Sequence, residues 1–298
     1  MITSEIAYPK ISIVTPSFNQ GRFIEETILS VIGQGYPNLE YIIIDGGSTD
    51  ETVDIIKKYE KHLTYWVSEK DNGQSHAINK GFSMASGEIF GWLNSDDMYL
   101  PSTFSFIAGL IDVRKTGIYF GNCIHFKETE EAFISYGSNV IKAHAQDKLV
   151  NSVFVIQPSS FWTKSTFQTV GPLREDLYYG FDWEWFIRAE RCGINFHCVS
   201  KCLSMYRFHE THKTGTGGTR RQEELSSIYD MYSKRSGILY RMLIAETLDL
   251  NTFKNRMLLR FLRRCNLPYS YGDVLKIVKR KQYAAYTVNE IKEIGYML

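Results

Sequence analysis

The run Asn94-Ser95-Asp96-Asp97 sets two adjacent carboxylates at the end of an apolar stretch, Glu88-Ile89-Phe90-Gly91-Trp92-Leu93. Adjacent carboxylates repel each other, and desolvating them is costly unless a cation or a set of donors sits beside them. A divalent metal carrying a phosphorylated ligand would supply that charge. Hard cations want oxygen ligands, and Mg²⁺ or Mn²⁺ combines one or two carboxylates with phosphate oxygens and water. The simpler alternative is a solvated turn whose Asp97 caps the helix after Pro101.

The elements that must position these groups alternate along the first hundred residues. Ile11 to Val14 is a short strand ending at Thr15-Pro16. Arg22 to Gln34 has helical spacing, with Phe23, Ile24, Ile28, Leu29, Val31 and Ile32 on a broad apolar face. Tyr41 to Ile44 is a second buried strand and ends at Asp45. Ser48 is expected to cap the next helix, with Glu51 completing a capping box. Strands are expected over 63–67 and 89–93, and a helix over 75–85. Continuous apolar strands separated by helices argue for a mostly parallel central sheet flanked by helices, an α/β class. Ligands of such sheets bind outside the carboxyl ends of the strands. The polar clusters fall at such ends: Ser17 and Asn19, Asp45, Asp71 to Gln74, and Asn94 to Asp97.

After Pro101 the pattern changes. Residues 117–126 and 132–136 read as strands, 153–163 as extended, 181–192 as a helix and 194–208 as extended again. Residues 211–221 form a Gly-rich polar loop, a candidate lid. From Gln222 onward the chain reads as helices broken near Pro268.

The 298 residues suit one large domain, or one domain plus an appendage. A net charge of +1 gives no field that would select nucleic acid. No run approaches the roughly 20 apolar residues of a membrane span. Met1 to Lys10 lacks a signal-peptide core, so a cytoplasmic protein is expected. Five cysteines with no metal-ligand spacing read as reduced thiols.

Several segments together resemble the inverting family 2 glycosyltransferases of the GT-A fold. They are Ile13 to Asn19, Ile43 to Asp50, Asp71-Asn72-Gly73, Ala77 to Gly81, Trp92 to Asp97 and Phe181 to Trp185, in matching order and spacing over roughly residues 10 to 210. The resemblance implies a Rossmann-like nucleotide-sugar half over about 1–100, an acceptor half over about 101–218, and a C-terminal helical region over 219–298. It implies that Asp45 accepts the imide N–H of uracil, and so a UDP-sugar donor. The rival reading has Asp45 only closing the turn with Gly46-Gly47. Pro16, Ser17, Asn19 and Gly47 would line the nucleotide site, Asp71 would face the base or ribose, and Lys80 would approach the diphosphate.

The family's metal motif is Asp-x-Asp. Here Asn94 replaces the first Asp, leaving Asn94-Ser95-Asp96, so Asp96 takes the metal position for Mn²⁺ or Mg²⁺. One negative charge is missing, and the nucleotide-sugar is expected to bring the cation in. His209, with His212 as the alternative, would lie near the metal, and Arg207 offers a second charge for phosphate. Asp182 aligns with the general base, a role in which a carboxylate contributes roughly 10²–10⁴-fold. The helix N-terminus would help keep it ionised. Glu184 is the rival base. Trp162, Tyr178, Tyr179, Trp183, Trp185 and Gln157 crowd the acceptor side, two at most of these aromatics being expected to touch acceptor.

The acceptor implied is a saccharide or lipid-linked saccharide, in bacterial-type surface glycan assembly. Residues 253–281 carry nine Lys and Arg against Asp273 alone. Such a basic amphipathic stretch could rest on the inner face of the membrane, or pack on the core with a solvated basic face. Two other readings stand beside the transferase: a nucleotidyltransferase, whose Gly-rich phosphate loop is missing after the first strand, and a non-catalytic nucleotide- or carbohydrate-binding protein.

Overall fold

In the computed structural model the described residues are 8–129, 132–138, 140, 149–151, 153–210, 212–213, 217–249, 279, 281–295 and 297. Four β-branched or aromatic runs form parallel strands: β1 (Ile11–Ser17), β2 (Leu39–Asp45), β3 (Tyr65–Ser68) and β4 (Ile89–Trp92). They stand in the order β3-β2-β1-β4. All seven residues of β1 are buried, as a strand covered on both faces requires.

One cover is α1 (Gly21–Ile32), whose Phe23, Ile24, Thr27, Ile28 and Val31 are buried. Ile24 and Ile28 share a core with Ile11, Ile13, Ile43 and Leu93. The other is α3 (Gln74–Met84). Gly81 lets it seat closely, since an added Cβ would stand 2.4 Å from Cγ1 of Val14. Beside it Phe82 meets Phe90 at 5.3 Å and Trp162 at 5.7 Å between ring centroids. The chain leaves β1 through α1 toward β2 and returns from β3 through α3 to β4. The carboxyl ends of β1 and β4 therefore flank a topological switch point.

Beyond β4 the sheet becomes mixed. β8 (Ser160–Thr163) runs antiparallel to β4, and β6 (Ile118–Glu128) antiparallel to β8. β9 (Phe196–Arg207) lies parallel to β6, and the short β5 (Met98–Tyr99) closes on β9. β7 (Phe133–Gly137) adds to β6. Helices α2 (Thr52–Lys58), α4 (Thr103–Leu110), α5 (Lys164–Val170) and α6 (Phe181–Arg191) complete this unit, Met1–Gln146 with Phe154–Gly215.

A second compact unit comprises Asp147–Val153 and Thr216–Leu298. Its helices are α7 (Gly218–Tyr232), α8 (Lys234–Asp249) and α9 (Val288–Gly295). They bury Leu239, Tyr240, Leu243, Ile291 and Ile294, and Arg235 joins Glu290 at 2.9 Å. The basic stretch 253–281 lies outside the described residues except at 279 and 281. Among the described residues no helix is long and apolar enough to cross a membrane.

Three local expectations are corrected. Helix α2 begins at Thr52, and no side chain caps Glu51 before it. The Ser48 hydroxyl turns instead to Asp45, and Asp50 Oδ1 accepts the Thr52 N–H at 3.0 Å. Asp97 caps no helix: α4 starts after Ser102, while Asp97 is buried under β9. In 153–163 only Ser160–Thr163 is strand, because Gln157–Ser159 makes a single 3₁₀ turn around Pro158.

Candidate functional site

The polar clusters gather at one edge of the sheet, where the parallel strands present their carboxyl ends. Ser17 ends β1 and pairs in register with Asp45 at the end of β2. Pro16 and Ser17 are buried, and the Ser17 hydroxyl has no hydrogen-bond partner among the described residues. Asn19 takes a left-handed backbone (φ 51°), a conformation its short amide side chain tolerates. Its N–H donates to the Ser48 hydroxyl at 2.7 Å, and its Oδ1 accepts the Thr49 N–H at 2.9 Å. Asn19 thus ties the β1 loop to the β2 loop.

Asp45 is fully buried. Its Oδ2 accepts from the N–H of Gly47 at 3.1 Å, the N–H of Ser48 at 2.9 Å and the Ser68 hydroxyl at 2.6 Å. Its Oδ1 accepts from the Ser48 hydroxyl at 2.5 Å. Four hydrogen bonds hold this carboxylate in place, and the turn it closes needs the positive φ (85°) of Gly47. Asp71 is half-buried, and its Oδ1 accepts the Gly73 N–H at 2.8 Å.

At the end of β4, Oδ2 of Asp96 lies 3.0 Å from Nε2 of His209. The His209 ring packs on Phe23, centroids 4.6 Å apart, which orients it. His212 is turned elsewhere, its Nδ1 2.5 Å from the His209 carbonyl. Ser95 is buried. Asp97 accepts the Arg207 N–H at 3.1 Å; burial pushes its carboxyl up, and neighbouring Asp96 adds to the rise. Asn94 Oδ1 accepts from Gln74 Nε2 at 2.8 Å, and Gln74 Oε1 accepts from Lys213 Nζ at 3.0 Å. Gln157 completes the chain: its Nε2 donates to the Trp92 carbonyl at 2.7 Å, and its Oε1 accepts from Asn94 at 3.4 Å.

Two expected phosphate ligands are occupied otherwise. Arg207 is buried, ion-paired with Glu26 and Glu128, and its Nε donates to the Asp96 carbonyl at 3.1 Å. A cation sunk between two carboxylates and the rings of Phe23 and Phe126 holds β9 to the site edge. Lys80 pairs with Glu69. The use of Arg207 could not be read from the sequence, because Glu128 and Glu26 lie 79 and 181 residues away.

Asp182 sits in the first turn of α6 behind Gly180, and its Oδ1 accepts the Trp183 N–H at 2.7 Å. Glu184 is buried and bound to Arg188 at 3.1 Å. Arg188 in turn donates to the carbonyls of Val170 and Pro172, at 2.7 and 2.8 Å. Glu184 is thereby a structural group. Trp162, Trp183 and Trp185 are core residues, whereas Tyr178 is 45% exposed. Lys213 Nζ lies 3.9 Å from the centre of the Tyr178 ring and 5.1 Å from that of Phe181. Gln74, expected only as part of a strand-end cluster, and Lys213, expected only within the Gly-rich loop, thus link the strand ends to the segment carrying Asp182.

The sequence model of Glycosyl transferase family 2 matches residues 12–169, more than half of the chain. The chain belongs to glycosyl transferase family 2. An uncharacterized glycosyltransferase of Rickettsia typhi is 24% identical over 305 residues, covering 97% of this chain and 91% of the relative. Among solved structures, S. aureus TarS 1–349 in complex with UDP-GlcNAc has a TM-score of 0.58 at 16% identity, covering 96% of this chain and 90% of that one. The mannosyltransferase PcManGT of Pyrobaculum calidifontis, in complex with GDP-Man and Mn²⁺, has a TM-score of 0.60 at 15% identity, covering 98% and 86%. These likenesses establish the GT-A type α/β fold expected from the sequence.

As a family 2 glycosyltransferase the chain is expected to use a divalent cation, and its residues fit one. Asp96 and His209 offer an oxygen and an imidazole nitrogen side by side, while Asn94 is committed to Gln74 and Asp97 to Arg207. No group of three or more His, Cys, Asp or Glu side chains suited to a metal occurs among the described residues. Two protein ligands suit a cation that completes its shell with water and phosphate oxygens.

Proposed function

We propose that this family 2 glycosyltransferase moves a sugar from a UDP-sugar to a saccharide or lipid-linked saccharide with inversion. The observation that carries the reading is the meeting of Asp96 and His209 at the switch-point edge, with Lys213 reaching from that edge to the segment that presents Asp182. TarS, bound to UDP-GlcNAc, and PcManGT, bound to GDP-Man and Mn²⁺, support a nucleotide-sugar donor and a cation.

In this reading the nucleotide lies across the ends of β1, β2 and β3, against Ser17, Gly47 and Asp71. Asp96 and His209 would hold Mn²⁺ or Mg²⁺, which when bound would supply positive charge to the departing diphosphate. Lys213 adds a protein cation near the same charge. Asp182 takes the proton from the acceptor hydroxyl as that oxygen attacks the anomeric carbon from the face opposite the leaving group. Displacement from that face inverts the anomeric configuration. Tyr178 offers an exposed ring face suited to an acceptor sugar.

The test is a panel of UDP-, GDP- and dTDP-sugars with Mn²⁺, read by thermal stabilisation and nucleotide release. Stabilisation and release are expected with UDP-sugars. Stabilisation by GDP and not by UDP would overturn the donor assignment.

A further inference from the structure

Strands β6, β7 and β9 carry a set of aromatic side chains that the proposed reaction does not use. His125 of β6 stands in register with Tyr136 of β7 on one side and with Tyr206 of β9 on the other. Partners in register project from the same face of a sheet, and so do residues two apart along a strand. Phe208, two residues past Tyr206, therefore returns to that face, its N–H donating to the Phe126 carbonyl at 2.8 Å. The His125 ring stacks on Tyr136 at 4.9 Å and on Phe208 at 5.8 Å between centroids, with interplanar angles of 10° and 26°. Tyr206 meets Phe208 edge-on at 5.2 Å. These rings do not close a core. Tyr136 is 57% exposed, and His125, Tyr206 and Phe208 are half-buried. On the opposite face of β7, Phe133 stacks on Phe126, which backs Arg207.

The exposed face is continuous with the proposed acceptor side. Phe208 meets His212 at 5.5 Å. Lys213 is the next residue, and its Nζ lies 3.9 Å from the centre of the Tyr178 ring and 5.1 Å from that of Phe181, the neighbour of Asp182. Side-chain contacts and one peptide step thus connect Tyr178 with Tyr136. What would cover the face follows from its chemistry. Tyr136, Tyr206 and His125 carry polar atoms at the rims of their rings, which suits a ligand with C–H faces and hydroxyl edges. A wholly apolar partner would leave such polar atoms buried and unpaired. Lys127 is the only Lys or Arg within residues 118–137, against Glu128, Glu130 and Glu131. That excess of negative charge repels an anionic polymer or an anionic bilayer. We infer that this face of β6, β7 and β9 is a binding track for a neutral oligosaccharide, holding the far end of an acceptor whose reacting end lies by Tyr178 and Asp182. The inference rests on the proposed transfer to a saccharide and narrows that acceptor to a chain of several sugars.

Binding of the full chain to an array of neutral oligosaccharides of graded length is measured for wild type, Tyr136→Ala, Tyr136→Trp and Phe133→Ala. Nucleotide release from UDP-sugars by wild type is followed alongside. Wild type is expected to bind, and to bind longer oligosaccharides more tightly than their shorter homologues. Tyr136→Ala is expected to lose about fivefold or more in affinity for the longer ones, the worth of one stacked ring. Tyr136→Trp, which keeps a ring there, is expected to retain binding. Phe133→Ala, at a residue equally exposed on the other face of the same strand, is expected to leave it unchanged. No binding by wild type, or equal losses in Tyr136→Ala and Phe133→Ala, would overturn the inference. So would a Tyr136→Ala protein whose only change is the loss of a dimer in light scattering, or of binding to phosphatidylglycerol vesicles, since the face would then belong to a second copy or to a membrane. Oligosaccharide binding by a wild type that releases nucleotide from no UDP-sugar would count against the proposed donor and leave the track standing.

Discussion

Nε2 of His209 stands 3.0 Å from Oδ2 of Asp96, although 112 residues separate them in the chain. The contact joins the end of β4 to the residue pair that follows β9, and Phe23 of α1 backs the imidazole. Asn94, two residues before Asp96, contributes no charge. Wild-type protein is therefore expected to take up Mn²⁺ strongly only when UDP is present. Asn94→Asp should raise affinity for free Mn²⁺ on the order of tenfold, as one added charge at a half-buried site would. Electron paramagnetic resonance titration with and without UDP checks both; equal Mn²⁺ uptake in the two conditions would count against a nucleotide-borne cation.

Asp182→Asn should lower kcat by about 10²–10⁴-fold while leaving the UDP dissociation constant unchanged. Glu184→Gln should do the reverse, lowering Tm through its contact with Arg188 and leaving kcat nearly intact. Single-turnover kinetics beside calorimetry separates the two, and a Glu184→Gln enzyme that binds donor but cannot turn over would exchange their roles.

Arg207→Met keeps much of the buried volume but removes the charge between Glu26 and Glu128. Loss of its charge-assisted hydrogen bonds should cost about 1.5–3 kcal/mol in urea unfolding. Donor KM should stay within about twofold, because the guanidinium is occupied within the protein. A large rise in KM with unchanged stability would restore the phosphate role.

Glu40 gives a pH prediction far from the metal site. Burial raises its pKa, but contacts with Lys10 Nζ, the Ser12 and Ser86 hydroxyls and the Ser86 N–H outweigh this and bring it down to about 2. A depressed carboxylate pKa contributes stability that is present above the ordinary value and lost as pH falls through the folded one. Wild type should therefore lose stability between about pH 4.5 and pH 2. Glu40→Gln should be less stable at pH 7 by roughly 2–3 kcal/mol and show a flatter acid limb. Parallel acid limbs for the two proteins would rule out Glu40 as the titrating group.

Strands β1, β2 and β4 were legible because a strand covered on both faces leaves a continuous apolar run, and their polar ends marked the ligand edge. The helix around Ser48 was misplaced because the same residue can cap a helix or bind a carboxylate across a turn, and Asp45 won it. The roles of Arg207, Gln74 and Lys213 depend on partners 20 to 181 residues away, which no local pattern encodes.

Strand β4 is bonded on both edges, Ile89 standing opposite Ile11 of β1 and Thr163 of β8. Trp162 of β8 meets Trp185 of α6 with ring centroids 4.9 Å apart. The carboxylate at the strand end and the carboxylate at the head of α6 are thus joined through strand pairing and a tryptophan contact. In the proposed reaction their separation would act as a gauge: an acceptor would be sorted by whether its hydroxyl spans that length, and substitutions in the Trp162–Trp185 packing should alter which acceptors pass before they alter which donors bind.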